Sequence, residues 1–239
     1  MSALARSCGP RFFPQARWAS VPPTAVQTEL RRAFTRWGLP ASFRVDNGVP
    51  WGSAGDLPTD LTLWLLGLGV DVHCNPPRRP QKNGIVERSQ GTAKRWAEPG
   101  ACATPEELRQ RLTQMDTIQR EEYPSVAGQS RRAAFPALAH SGRTYRVRGE
   151  RRPWSLEKVL AHLAGYAVRR RVDRCGKVSL YNRTRYVGIL HQGKDVYVML
   201  DPESREWIFA DAQGHQLRSQ PAAELSRERI VGLQVTHRR

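Results

Sequence analysis

The chain is poor in acid and cysteine and has no long apolar run. Its 22 Asp and Glu stand against 38 Lys and Arg, a net charge of +16 over 239 residues. Such a balance points to polyanionic partners, nucleic acid first and anionic membrane second. No apolar run approaches the ~20 residues that span a bilayer. The longest, Leu61 to Val70, is broken by Thr62, Gly67 and Gly69. The N-terminal residues also lack the apolar core of a secretory signal. A cytoplasmic, nucleoid-associated protein of bacterial style is therefore expected, with no membrane partner. Cys8, Cys74, Cys102 and Cys175 form no C-x-x-C, and the six His show no H-x₃-H spacing. Reduced thiols and no zinc site are expected. The glycines around Gly48-Val49-Pro50-Trp51-Gly52 lack the Lys-Ser/Thr of a phosphate-binding loop, which leaves nucleotide-driven chemistry without support. No repeat recurs at 20–50 residues.

What is present suffices for a core, with 39% hydrophobic and 8% aromatic residues. Residues 1–20 lack periodicity and read as an unstructured leader. Thr24-Ala25-Val26-Gln27 reads as a capping box for a helix from Thr24 to Trp37, ended by Gly38 and Pro40. Phe43 and Val45 mark a strand, and Leu57-Pro58 opens an apolar helix that sets Leu61, Leu65 and Leu68 toward a sheet. Asp56 and Asp60 suit that helix start through its dipole. Val70, Val72 and Cys74 alternate as a second strand, in which His73 is an ordinary edge residue. The segment from Asn75 to Gly84 holds Pro76, Pro77 and Pro80 and cannot be regular. A helix follows over roughly 84–97. After Glu98-Pro99-Gly100, Thr104-Pro105-Glu106-Glu107 caps another, with Leu108, Leu112, Met115 and Ile118 at core spacing and Pro124 at its end. Ser125 to His140 reads as irregular.

Two acids stand out. Asp46 ends the first strand before the turn pair Asn47-Gly48, and Glu87 lies in Asn83-Gly84-Ile85-Val86-Glu87 at a helix start. Strand ends and helix starts are where α/β folds build sites. Taken singly, an Asp-Asn-Gly is most often a plain turn and a lone Glu a solvated surface residue. In this order, with Asn75-Pro76-Pro77 between them, the stretch resembles the second and third acids of the DDE-type transposases and retroviral-type integrases. The resemblance is strongest over residues 21–97. It implies a ribonuclease H-like α/β fold and metal-dependent cutting and joining of DNA strands. Asp46 and Glu87 would be catalytic metal ligands for Mg²⁺ or Mn²⁺. Two hard cations gripping the attacking and leaving oxygens need such carboxylates. The Pro-rich loop would meet DNA through Arg78, Arg79 and Lys82, and the helix after it through Arg88, Lys94 and Arg95. Glu87 and Lys94 lie two turns apart on one helical side.

The sequence departs from the family pattern in one place. Residues 1–45 contain no Asp, and their single acid, Glu29, falls in a helix rather than a strand. The expectation is an N-terminally truncated core holding two of three ligands, without the strands of the sheet's middle, and catalytically incomplete alone. The alternative is a non-catalytic DNA-binding transposase remnant. An RNA-cleaving ribonuclease H shares the fold but gives no reason for the basic C-terminal half. Expected partners are DNA, as transposon ends and target, and copies of itself or full-length transposase subunits.

Residues 141–175 carry ten Lys/Arg against three Asp/Glu. A short helix over Ser155 to Ala164 sits within them. The period then shifts to two, with strands expected at Tyr166–Val172, Lys177–Tyr181, Arg185–Val187, Asp195–Leu200 and Glu206–Ala210. They suggest a small barrel, and the resemblance implies an SH3-like, DNA-binding one. Arg169, Arg170, Arg171, Arg174, Arg183 and Arg185, interleaved with Tyr166, Tyr181 and Tyr186, suit phosphate contact and stacking. The expected organisation is a core over 21–140, a basic linker over 141–165, an all-β domain over 166–220 and a basic tail over 221–239, within which 222–233 suits a short helix.

Overall fold

The computed structural model of the chain describes residues 21–45, 48–51, 56–75 and 84–236. The leader expected at 1–20, Asp46 and the loop cations Arg78, Arg79 and Lys82 lie outside the described residues. The architecture is mixed α/β, with one parallel strand pair, antiparallel strands and helices. No helix among the described residues is long and apolar enough to cross a membrane.

Helix α1 (Pro23–Trp37) has Pro22 as its N-cap residue and no side-chain cap. The expected capping box does not form. Proline fits the first turn unaided, so Thr24 falls inside the helix and its carbonyl accepts the Thr28 hydroxyl. The Gln27 amide instead donates to the Val231 carbonyl at 3.0 Å. Strands β1 (Ser42–Val45) and β2 (Asp71–Cys74) pair in parallel, joined through helix α2 (Asp60–Gly67). A parallel pair requires such a crossover. Thr59 caps α2 by accepting the Thr62 N–H. Every residue of α2 is buried. The strongly apolar helix expected here is thus covered on every face, Asp60 and Thr62 included.

Helices α3 (Gly84–Ala97) and α4 (Pro105–Thr117) form a hairpin. Thr104 accepts the Glu107 N–H at 3.2 Å, and the Glu107 carboxylate accepts the Ala103 N–H at 2.8 Å. Leu108, Leu112 and Met115 were expected in the core, yet α4 has no buried residue. Its main helical neighbour is α3, and one helix covers only a strip of another. A π-helical turn, Ile118–Glu122, follows. The stretch expected to be irregular holds the short α5 (Arg131–Ala134) and a 3₁₀ turn at Pro136–Ala139.

Helix α6 (Leu156–Ala164) is capped by Ser155, which accepts the Lys158 N–H, and buries Val159, Leu160 and Leu163. Six strands follow: β3 (Val168–Arg171), β4 (Lys177–Leu180), β5 (Arg183–Tyr186), β6 (Asp195–Asp201), β7 (Glu206–Ala210) and β8 (Gln216–Pro221). The antiparallel sheet runs β3-β6-β7-β8, and β4-β5 is a separate hairpin. No ladder among the described residues closes these strands into a barrel. Helix α7 (Arg227–Val231) is the last helix of the described chain.

One apolar core links Phe34 and Trp64 to Trp154, Val198, Trp207 and Ile230. Residues 141–165, expected as a linker, bring Tyr145, Trp154 and Leu163 into it. Residues 221–239, expected as a tail, bring Ile230, Leu233 and Val235. Helix α6 packs on both α2 and β6.

Candidate nucleic-acid interface

The β1-α2-β2 unit sets two strand ends side by side. Val45 closes β1, and its carbonyl accepts the backbone N–H of Asn75, just past β2, at 2.9 Å. Val45 and Asn75 are both buried. The loop returning toward α2 is anchored where the Phe43 and Trp51 rings meet at 5.6 Å and the Thr59 hydroxyl donates to the Trp51 carbonyl. The C-terminal edge of a parallel pair is the end at which α/β folds place ligands. Asp46 follows Val45 directly in the sequence and lies outside the described residues.

Glu87 falls in the first turn of α3, where the helix dipole favours a carboxylate; its side chain lies outside the described set. Arg88, Lys94 and Arg95 are exposed on the same helix, Lys94 and Arg95 in its last turn. Among the described residues no group of three His, Cys, Asp or Glu side chains is placed to hold a metal ion. Asp46 and the Glu87 carboxylate, the two acids the motif singles out, are not among those described side chains.

On β3 the three arginines differ. Arg170 makes two bonds to the Asp56 carboxylate, at 2.8 and 3.1 Å, while its Nε donates to the Ser179 carbonyl. That contact holds the Asp56 carboxyl below the usual carboxylate range. Arg170 thus ties the loop before α2 to the β-rich half. Arg169 stands 3.6 Å from Asp195. Arg171 is exposed, and no ion pair holds it among the described residues.

The Tyr181 hydroxyl donates to the Pro58 carbonyl at 3.1 Å. It borders a cleft of about 460 Å³ that Asp60, Arg170, Ser179 and Thr236 also line. The Thr236 hydroxyl bonds the Asp60 carboxylate at 3.0 Å. Tyr181 is buried, so it offers no ring for stacking. Arg185 is corrected likewise. It lies buried against Glu224, at 2.5 and 2.7 Å, and donates to the Pro221 carbonyl, so it is spent on the fold rather than on phosphate.

Sequence reasoning missed two buried carboxylates. Glu150 accepts from the Trp64 indole at 3.0 Å, the Tyr145 hydroxyl at 2.6 Å and the Arg31 guanidinium at 2.6 Å. Burial and the Glu150 carboxylate push the Tyr145 phenol far above its ordinary range, so it stays a donor. Glu224, fully buried, accepts from Arg185 and from the Trp207 indole at 2.7 Å. Apart from Tyr145 their partners lie 17 or more residues away, and no periodicity marks them. It also missed a ring–cation pair, Tyr186 with Arg218 at 5.3 Å, because the strand carrying Arg218 is too polar to signal itself. No protein-family model matches the chain.

Proposed function

We propose that the chain is a DNA-binding protein of the transposase and integrase type. On this reading it is a ribonuclease H-like α/β unit followed by an SH3-like β module. It supplies two carboxylates, Asp46 and Glu87, of a three-acid strand-transfer site served by Mg²⁺ or Mn²⁺. The observation that carries the reading is the parallel β1-α2-β2 unit. It ends β1 one residue before Asp46, beside Asn75, and is followed by a helix with Glu87 in its first turn. The bound ions would supply charge neutralisation at the attacked phosphate. The chain's own residues hold the DNA: Arg88, Lys94 and Arg95 along α3, and exposed cations of the β-rich half, pair with backbone phosphate.

Of the acids in residues 1–45, Glu29 is the single one. It lies exposed on α1, 2.5 Å from Arg32, and does not serve as a third ligand. On this reading residues 1–45 supply no third carboxylate, so duplex binding without cleavage is the behaviour expected of these 239 residues by themselves. A second reading, a DNA-binding remnant with no catalytic partner, is favoured by the net charge of +16, which needs no metal to attract DNA.

The test pairs salt-titrated duplex binding with a cleavage and joining assay on candidate transposon ends, in Mg²⁺ and in Mn²⁺. Salt-dependent binding without cleavage is expected from the chain alone. Cleavage that disappears in Glu87→Gln would show that the chain completes its own site. Cleavage restored by added full-length transposase, and lost again with Glu87→Gln, separates the first reading from the second. No duplex binding at low salt would reject both.

A further inference from the structure

Resting on the DNA-binding reading above, we infer that the Ile189-Leu190 turn is an apolar wedge that enters duplex DNA between stacked base pairs. Ile189–His191 forms a 3₁₀ turn between β5 and β6. Leu190 is 85% exposed and Ile189 50% exposed, although the core of the same half is closed. Single exposed apolar residues are ordinary on protein surfaces. This pair differs in how firmly it is held and in what surrounds it.

The turn is clamped through backbone. The N–H groups of Val187 and Gly188 both donate to the Gly176 carbonyl, at 2.8 and 3.0 Å. On the other side Gly193 donates to Val172 and Val172 to Lys194, each at 3.0 Å. Gly176, at φ +72°, allows this approach, for a Cβ there would sit 2.6 Å from the Gly188 carbonyl carbon and the Ile189 nitrogen. The Tyr186 hydroxyl accepts the Ile189 N–H at 3.3 Å. The tip is thus presented without an ordering cost at binding.

Its surroundings are cationic. Residues 171–194 hold six Lys/Arg and one acid, Asp173. The Asp173 carboxylate is occupied by the N–H groups of Cys175 and Lys177, both at 2.8 Å. Arg185 is buried with Glu224. Arg171, Arg174, Lys177 and Lys194 are exposed, and no ion pair among the described residues neutralises them. Arg218 stacks on the Tyr186 ring beside the tip. An apolar point flanked by exposed cations suits a polyanion with an apolar interior. Duplex DNA is such a partner: cations take the phosphates and a Leu or Ile side chain unstacks one base step. A basic protein surface would be repelled.

The experiment uses the full chain and a duplex with 2-aminopurine at successive positions and a dye at each end. Wild type, Leu190→Ser and Ile189→Ser/Leu190→Ser are compared, with circular dichroism confirming their fold. Wild type is expected to brighten 2-aminopurine at the inserted step and to bring the dyes closer. Leu190→Ser is expected to lose both signals and to bind about ten-fold more weakly, with an unchanged slope of affinity against salt. Equal brightening by wild type and Leu190→Ser would overturn the wedge while leaving DNA binding intact. Self-association of the wild type without DNA, abolished by Leu190→Ser, would overturn it in favour of a protein contact. No duplex binding by wild type at any salt would remove the underlying reading as well.

Discussion

The Trp154 indole fills the space that a side chain at Gly67 would need. Its Nε1 donates to the Trp64 carbonyl at 3.1 Å, and the Ser155 N–H donates to the Gly67 carbonyl at 2.9 Å. The last turn of α2 and the start of α6 are thereby fitted together at one glycine. Gly67→Ala must displace a ring that is itself fully buried. A loss of about 3 kcal/mol is expected, at the upper end for an overpacked core. Urea unfolding measures it, and an unshifted midpoint would contradict the close fit.

Glu150 predicts a second loss. It is 4% exposed and carries three donors, from α1, α2 and Tyr145. Glu150→Ala strands the Arg31 guanidinium and the Trp64 indole together. Arg31 is part-buried and keeps its bond to Gln27, so the expected cost is roughly 1–3 kcal/mol, set by the donors left unsatisfied. Glu150→Gln, which keeps the shape and one acceptor, should cost less. Equal stability of the alanine variant and wild type would show that the cluster carries no net stability.

Asp56 gives a pH dependence. Its bond to Arg170 lowers its folded pKa. The contribution is therefore complete above the ordinary carboxylate value of about 3.9 and disappears as pH falls through the depressed folded value. The pair is partly exposed, so the effect stays below about 1 kcal/mol. Stability measured between pH 3 and pH 7 should fall more steeply in wild type than in Asp56→Asn. Parallel curves would deny the coupling.

The arginines and lysines should divide into two classes on mutation. Lys94→Ala with Arg95→Ala should leave stability unchanged and reduce the salt slope of duplex binding by about 0.9 for each lost phosphate contact. Arg185→Ala should do the reverse, since it leaves Glu224 fully buried without its guanidinium partner. A cost of roughly 3–5 kcal/mol is expected there, with the slope kept at temperatures where the variant is folded. A slope change from Arg185→Ala without loss of stability would contradict its placement.

The sequence made much of the fold readable where local patterns decide it. The short helix now seen as α6, the α3 limits and the five strands from β3 to β7 follow from turn residues and hydrophobic period. Strand β8 escaped because Gln216, Arg218, Ser219, Gln220 and Pro221 are polar or ring-locked; it is an edge strand defined by its partner β7. The α4 leucines misled in the opposite direction, since their spacing promised burial that the α3-α4 hairpin does not provide. Arg185 and Tyr181 read as surface groups because arginine and tyrosine usually are; their burial depends on Glu224 and Pro58, which lie far off in sequence. Near the candidate site, the strand ending at Val45 and the helix over 84–97 were legible in the sequence, while Asp46 and the Glu87 side chain fall outside the described residues.

Trp64, Trp154 and Val198 belong to one core, and this changes what the β-rich half can be. It is no module on a tether, free to search for its own stretch of nucleic acid. The end of β1 and the Leu190 tip therefore stand on elements that share one packed core. On the proposed DNA-binding reading, a duplex held at both places would be held at a spacing set by the core between them.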